Sequence, residues 1–127
     1  MSGSLVRVDI EDRFCWIVLN SPSTMNALSL PLLEALEDAV RRVAADPEIG
    51  CVILTGAGKA FSAGGDLPGF QRDIDAGRYP PLLARLAYTQ HQSHLAQTLP
   101  VPLISAATGV DRTGALHSLP CCYVLDC

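Results

Sequence analysis

The chain is short of charge, and lysine is almost missing from it: 17 % of its 127 residues are charged and Lys59 is the single lysine. Nine Lys and Arg against thirteen Asp and Glu leave a formal net charge of −4, with no basic stripe along any segment. A phosphate backbone needs such a stripe, so nucleic acid is not expected as a partner. No apolar run is long enough to cross a bilayer, and Met1 to Ser4 lacks the charged and apolar regions of a secretory signal, so the expected address is cytoplasmic with no membrane partner. Paired C-x-x-C spacing is also missing. The five cysteines are odd in number, and Cys121, Cys122 and Cys127 crowd the last seven residues. Reduced thiols are expected, not a disulfide framework or a zinc site that would draw in His117. His91 and His94 stand three apart without a carboxylate or thiol at helical spacing, which reads as a polar stripe and not a metal site.

Apolar residues are plentiful. At 49 % hydrophobic content the chain can build the core of one domain. Leu5 to Ile10 and Phe14 to Leu19 are β-rich runs around Glu11-Asp12-Arg13, a hairpin pattern. The second run is apolar at every position and is expected to be the more interior strand, covered on both faces. After the loop Asn20 to Thr24, Ser29 is placed to cap a helix over about 30 to 45. Pro31 falls in its first turn, and Leu32, Leu33, Leu36, Ala39, Val40 and Val43 recur at helical spacing. Glu37 and Arg41 form an i, i+4 pair on the opposite, solvated face. Asp46-Pro47 stops this helix, and Cys51 to Thr55 returns as a strand expected to be covered on both faces. Further on, Pro68-Gly69 breaks the chain and the polar stretch Gln71 to Tyr79 discourages long regular structure. A second helix is expected over about 81 to 98, ended by Pro100 and Pro102, before a buried strand from Leu103 to Ala107. The class is α/β, with helices crossing between strands.

The chemistry is concentrated after the third strand. Gly56-Ala57-Gly58 ends it, and Ser62, Ala63, Gly64 and Gly65 leave backbone N–H groups with almost no side chain in front of them. Such donors suit a developing oxyanion, the charge that forms in acyl transfer or on an enolate. The strand ending at Ala107 also runs into a glycine-bearing loop. Parallel strands would put both loops on one edge of the sheet, where ligands of open α/β sheets bind.

The segment 51–67, with Asn26-Ala27-Leu28 before the first helix and Val101 to Gly109 after the second, resembles the enoyl-CoA hydratase/isomerase (crotonase) family. The likeness covers residues 4 to 110, with an atypical tail from 111 to 127. It implies a crotonase-like ββα spiral, incomplete because family members are longer. It also implies an acyl-CoA thioester as the bound partner, with coenzyme A arriving as part of the substrate and no separate cofactor. By the same resemblance Gly65 and Gly114 would supply the two N–H groups of an oxyanion hole. Met25, Asn26, Ala27 and Leu28, together with Lys59, Ser62, Ala63, Gly64, Asp66 and Leu67, would line the substrate and coenzyme A pocket. Family trimers make a homo-oligomer the implied assembly.

Two of these positions keep a second reading open. Lys59 could meet a coenzyme A phosphate or merely solubilise a glycine turn, and Asp66 is better suited to capping its own loop than to acid/base work. His117 stands where hydratases of the family carry the first of two carboxylates. An imidazole can move protons near neutral pH, but a lone histidine in an atypical segment also reads as non-catalytic. Asp111 and Arg112 bring charge into a loop that should pack, and Pro120 falls inside the helix that would start at Gly114. Whether the chain is an enzyme is therefore open on sequence alone. The first reading is stabilisation of a thioester enolate. The alternative is a catalytically inactive, truncated module that associates with a full-length relative or another partner.

Overall fold

Between Glu11 and Phe14 the chain makes its first reversal, through the two residues Asp12 and Arg13, with Asp12 at φ 54°. Asp tolerates this left-handed region better than most residues because its short side chain bonds locally. The hairpin joins β1 (Val6–Glu11) to β2 (Phe14–Leu19) in antiparallel register, Val6 opposite Leu19. The computed structural model describes residues 4–63, 67–77, 99–107, 110–111 and 123–126.

The first helix, α1 (Leu30–Ala44), follows the expected pattern in detail. Ser29 is extended at the N-cap and its Oγ accepts from the Leu32 N–H at 3.4 Å, with Pro31 in the first turn where a missing N–H costs nothing. All six apolar positions named from the periodicity are buried, and Arg41 reaches Glu37 at 2.8 Å on the outer face. The helix is the crossover from β2 to β3 (Cys51–Gly56), which pair in parallel with Phe14 opposite Cys51. The short β4 (Ala60–Ser62) and the helix α2 (Leu67–Asp75) come next, then β5 (Leu103–Ala107), β6 (Val110–Asp111) and β7 (Tyr123–Asp126). The order ββα thus occurs twice and begins again. The five-stranded sheet runs β1-β2-β3-β5-β7, parallel beyond its first pair, while β4 and β6 form a separate parallel ladder.

Alternation along the strands sends Cys15, Ile17 and Leu19 of β2, and Val52 and Leu54 of β3, towards the core that α1 covers. Burial of Leu32, Leu33, Leu36, Val40 and Val43 against them stabilises the layer, at roughly 1.5–3 kcal/mol for each large aliphatic side chain.

Four sequence expectations need correcting. Strand β2 is covered on both faces only at its end: on the side away from α1 Phe14 is 51 % and Trp16 38 % exposed, while Val18 is 6 % exposed. Strand β1 starts one residue later than expected and takes in Glu11, since the turn closes on two residues. The loop after β3 contains a strand of its own, β4, which pairs with β6 at long range. Pro68-Gly69 does not break the chain. Both lie in the first turn of α2, where proline is tolerated because the N–H it lacks has no intrahelical acceptor, and the helix runs on through Gln71 to Asp75. The expected helix over 81–98 lies outside the described residues.

Candidate functional site

The site begins with a short 3-10 turn, Pro22–Thr24, after which Met25 and Asn26 both adopt positive φ, 55° and 56°. Two successive non-glycine residues in this region cost roughly 1–2 kcal/mol each, so the surrounding bonds must hold them there. They do so through asparagine chemistry. The Asn26 side chain is fully buried, and its two ends are used differently. Its Oδ1 accepts from the Ser21 N–H at 2.7 Å, and its Nδ2 donates towards the carbonyl oxygens of Ala57, Ala60 and Phe61 at 3.1, 3.0 and 3.1 Å. Only an amide offers an acceptor on one side and two donor hydrogens on the other at this length. Buried polar groups satisfied in this way keep a fixed geometry, whereas an unmet one costs about 1–3 kcal/mol.

The main chain continues the same seam. The carbonyl of Met25 accepts from the Ala63 N–H at 2.7 Å, and the carbonyl of Asn26 accepts from the Ser62 hydroxyl at 2.7 Å. Met25 and Asn26 on one side and Ser62 and Ala63 on the other, which the resemblance assigned to one pocket, are therefore bonded to each other directly. Gly56 makes the approach feasible: a Cβ there would collide with the Phe61 carbonyl oxygen and lie 2.7 Å from that of Ala60. The Ala57 N–H returns to the Leu19 carbonyl at 2.8 Å, so the turn is also tied to the end of β2.

The two loop stems meet through the β4–β6 ladder, in which Ala60 pairs with Val110 and Ser62 with Asp111. Their parent strands are fastened next to this point by Thr55 Oγ1, which donates to the Ala106 carbonyl at 3.0 Å. Gly65 follows Ser62 by three residues and Gly114 follows Asp111 by three.

The remaining candidates fall in distinct places. Met25 and Ala27 are half-buried, while Leu28 is 4 % exposed and packs in the core. The Leu28 side chain thus holds the segment down. Lys59 is exposed, next to Gly58, whose added Cβ would press on Pro22 of the 3-10 turn. Leu67 begins α2. Gly64, Gly65, Asp66, Gly114 and His117 lie outside the described residues, as do His91, His94, Cys121, Cys122 and Cys127.

Burial pushes the Cys15 thiol above its ordinary value, opposed by the charge of Arg42 and reinforced by Asp46 and Asp9. A thiol kept neutral in the core is a poor nucleophile. Among the described residues no group of three His, Cys, Asp or Glu is placed to hold a metal, and no helix is long and apolar enough to cross a membrane.

Sequence reasoning passed over two contributors. Ser21 serves through its backbone N–H, which carries no sequence signal. Gly56 looked like a strand terminator, yet what it provides is room for another backbone.

This two-loop arrangement over a parallel sheet agrees with the match of residues 14–111 to the family model described as enoyl-CoA hydratase/isomerase. The chain belongs to the enoyl-CoA hydratase/isomerase family. It is 34 % identical over 125 residues to the hydroxycinnamoyl-CoA hydratase-lyase of Pseudomonas fluorescens, covering 96 % of this chain and 45 % of that protein. It is 31 % identical over 109 residues to the mitochondrial enoyl-CoA hydratase of Pongo abelii, covering 86 % and 36 %. Among solved structures, the enoyl-CoA hydratase of Bacillus anthracis superposes with a TM-score of 0.85 at 28 % identity, over 96 % of this chain and 47 % of that one. The fold is thus an incomplete crotonase fold, and the chain spans less than half the length of these relatives.

Proposed function

We propose that this enoyl-CoA hydratase/isomerase family chain binds an acyl-CoA thioester and polarises its carbonyl between the N–H groups of Gly65 and Gly114. The pairing of Ser62 with Asp111 carries the reading, because it starts both glycine loops from adjacent points on one edge. Three residues of chain reach at most about 10 Å, so two amides launched from neighbouring stems are within range of one oxygen. Negative charge gathering on that oxygen is the common feature of enoyl-CoA hydration and double-bond isomerisation. Each well-aimed N–H contributes roughly 3 kcal/mol to the transition state of such a step. The thioester becomes more acidic at its α carbon and more electrophilic at its β carbon for the same reason.

In this reading Met25, Ala27 and the loop 63–67 form the pocket wall, while Asn26, Leu28 and Ser62, which the resemblance also assigned to the pocket, are buried behind it and support it; Lys59 meets the coenzyme A phosphates, and Asp66 caps the loop. His117 takes the place of a family carboxylate and moves the proton. The names of the relatives, a hydroxycinnamoyl-CoA hydratase-lyase and enoyl-CoA hydratases, agree with a CoA thioester as substrate class.

A second reading is favoured by the exposed Phe14 and Trp16: a module that keeps the CoA loop without turnover and associates with a full-length relative or another partner. Purified chain mixed with crotonyl-CoA separates the two. Loss of the enoyl absorbance, abolished by Gly65→Pro, supports catalysis; an unchanged spectrum over hours removes it and leaves the module.

A further inference from the structure

The geometry points to Asn26 as the positioning residue of the first oxyanion loop, acting through backbone and never touching substrate; this rests on the acyl-CoA reading above. The carboxamide is fully buried, so it offers no atom to a ligand. Its donor end instead gathers three carbonyl oxygens, of Ala57 in the turn after β3 and of Ala60 and Phe61 on β4, which delivers the loop. Peptide carbonyls normally repel at such separations, and a shared NH2 donor is what lets them converge. With Ala60 and Phe61 held, the next two residues are fixed by the same segment, Ser62 to the Asn26 carbonyl and Ala63 to the Met25 carbonyl. Four consecutive residues, 60 to 63, are thus clamped immediately before the glycines. An N–H in the following residues can be aimed only if the residues preceding it hold one position. The clamp also runs backwards, since the Ser21 N–H fixes the other end of the carboxamide and Ser29 starts α1 three residues beyond Asn26. Asn26 therefore transmits the position of the helix start to the loop.

Asn26→Asp tests this with little change in volume. It keeps the acceptor facing Ser21 and replaces the donor by a carboxylate oxygen facing three carbonyls. On the full chain, amide exchange over residues 57–63 is expected to accelerate at least about tenfold while α1 keeps its protection. With crotonyl-CoA, kcat is expected to fall at least about tenfold with KM nearly unchanged, since the loop is misaimed and the pocket kept. Both effects should recede as pH is lowered, because protonation returns one O–H donor to the site; a purely structural defect has no reason to follow that titration. Ser62→Ala, which removes the hydroxyl held by the Asn26 carbonyl, serves as the gentler variant and should loosen residues 62 and 63 alone. Unchanged protection of 57–63 in both variants overturns the inference. So does loss of protection spread equally over α1 and the loop in both, which makes Asn26 a general folding residue. Absence of turnover and of crotonyl-CoA binding in the unsubstituted chain counts against the acyl-CoA reading, and the exchange pattern then judges the clamp by itself.

Discussion

Thr55 Oγ1 donates to the carbonyl oxygen of Ala106 at 3.0 Å, a side-chain bond laid across the ends of two neighbouring parallel strands. Parallel ladders have slanted, evenly spaced bonds, and β3 and β5 pair only over Val52 to Leu54. The hydroxyl extends the fastening to the point where both chains leave for their loops. Thr55→Val keeps shape and β propensity and removes the bond. A loss of about 1 kcal/mol in urea unfolding is expected, together with faster amide exchange at Ala106 and Ala107.

Gly56 and Gly77 give a matched pair. An alanine Cβ at Gly56 meets the Phe61 and Ala60 carbonyls, and backbone cannot yield as a side-chain tip can. Gly56→Ala is expected to cost about 1–3 kcal/mol or more and to disturb the Asn26 bonds. At Gly77 nothing lies within 4 Å and only the φ of 69° opposes a side chain, so Gly77→Ala should cost about 1 kcal/mol. Denaturation midpoints of the two variants check the order; equal midpoints would deny the close approach at Gly56.

The Cys15 thiol makes stability depend on pH. Burial raises its folded-state value, so above the ordinary thiol range of about 8.5 the unfolded chain loses a proton that the folded chain keeps. The unfolded state then binds fewer protons, and stability declines as pH rises. The contribution is complete below the unfolded value and gone above the folded one. Unfolding free energies measured from pH 7 to 10 should slope downwards, and Cys15→Ala should remove that part of the slope. The buried thiol should also react with a thiol reagent more slowly than the half-buried Cys51 in the native protein.

Elements governed by local rules were legible. Phe14–Leu19 and Leu103–Ala107 have the bounds read from the sequence, and α1 buries each of the six residues that its period named. A cap, a first-turn proline and a hydrophobic repeat all act within a few residues, which is why a linear reading finds them. The helix α2 was missed because Pro68-Gly69 reads as a break unless the helix start is known to lie just before it. The exposure of Phe14 and Trp16 was missed because an apolar strand does not say how many layers will cover it.

The site divides in the same manner. Small residues at 62 to 65 announced a loop for close backbone approach, and the family likeness tied residues 25–28 to it. That Asn26 spends its amide nitrogen on carbonyls 31 to 35 residues away was not legible, since an asparagine in a turn has many local partners in principle.

What the amino-acid sequence determined by itself was the opening order β1-β2-α1-β3, the inward face of α1, the family and the place of the small-residue loop, all set by interactions of short range or by spacing. Tertiary structure alone decided which strands became neighbours, that Ser62 would stand beside Asp111, and that the Asn26 amide would gather three carbonyls. Those outcomes depend on contacts between distant segments, whose partners exist only after the sheet has closed around α1.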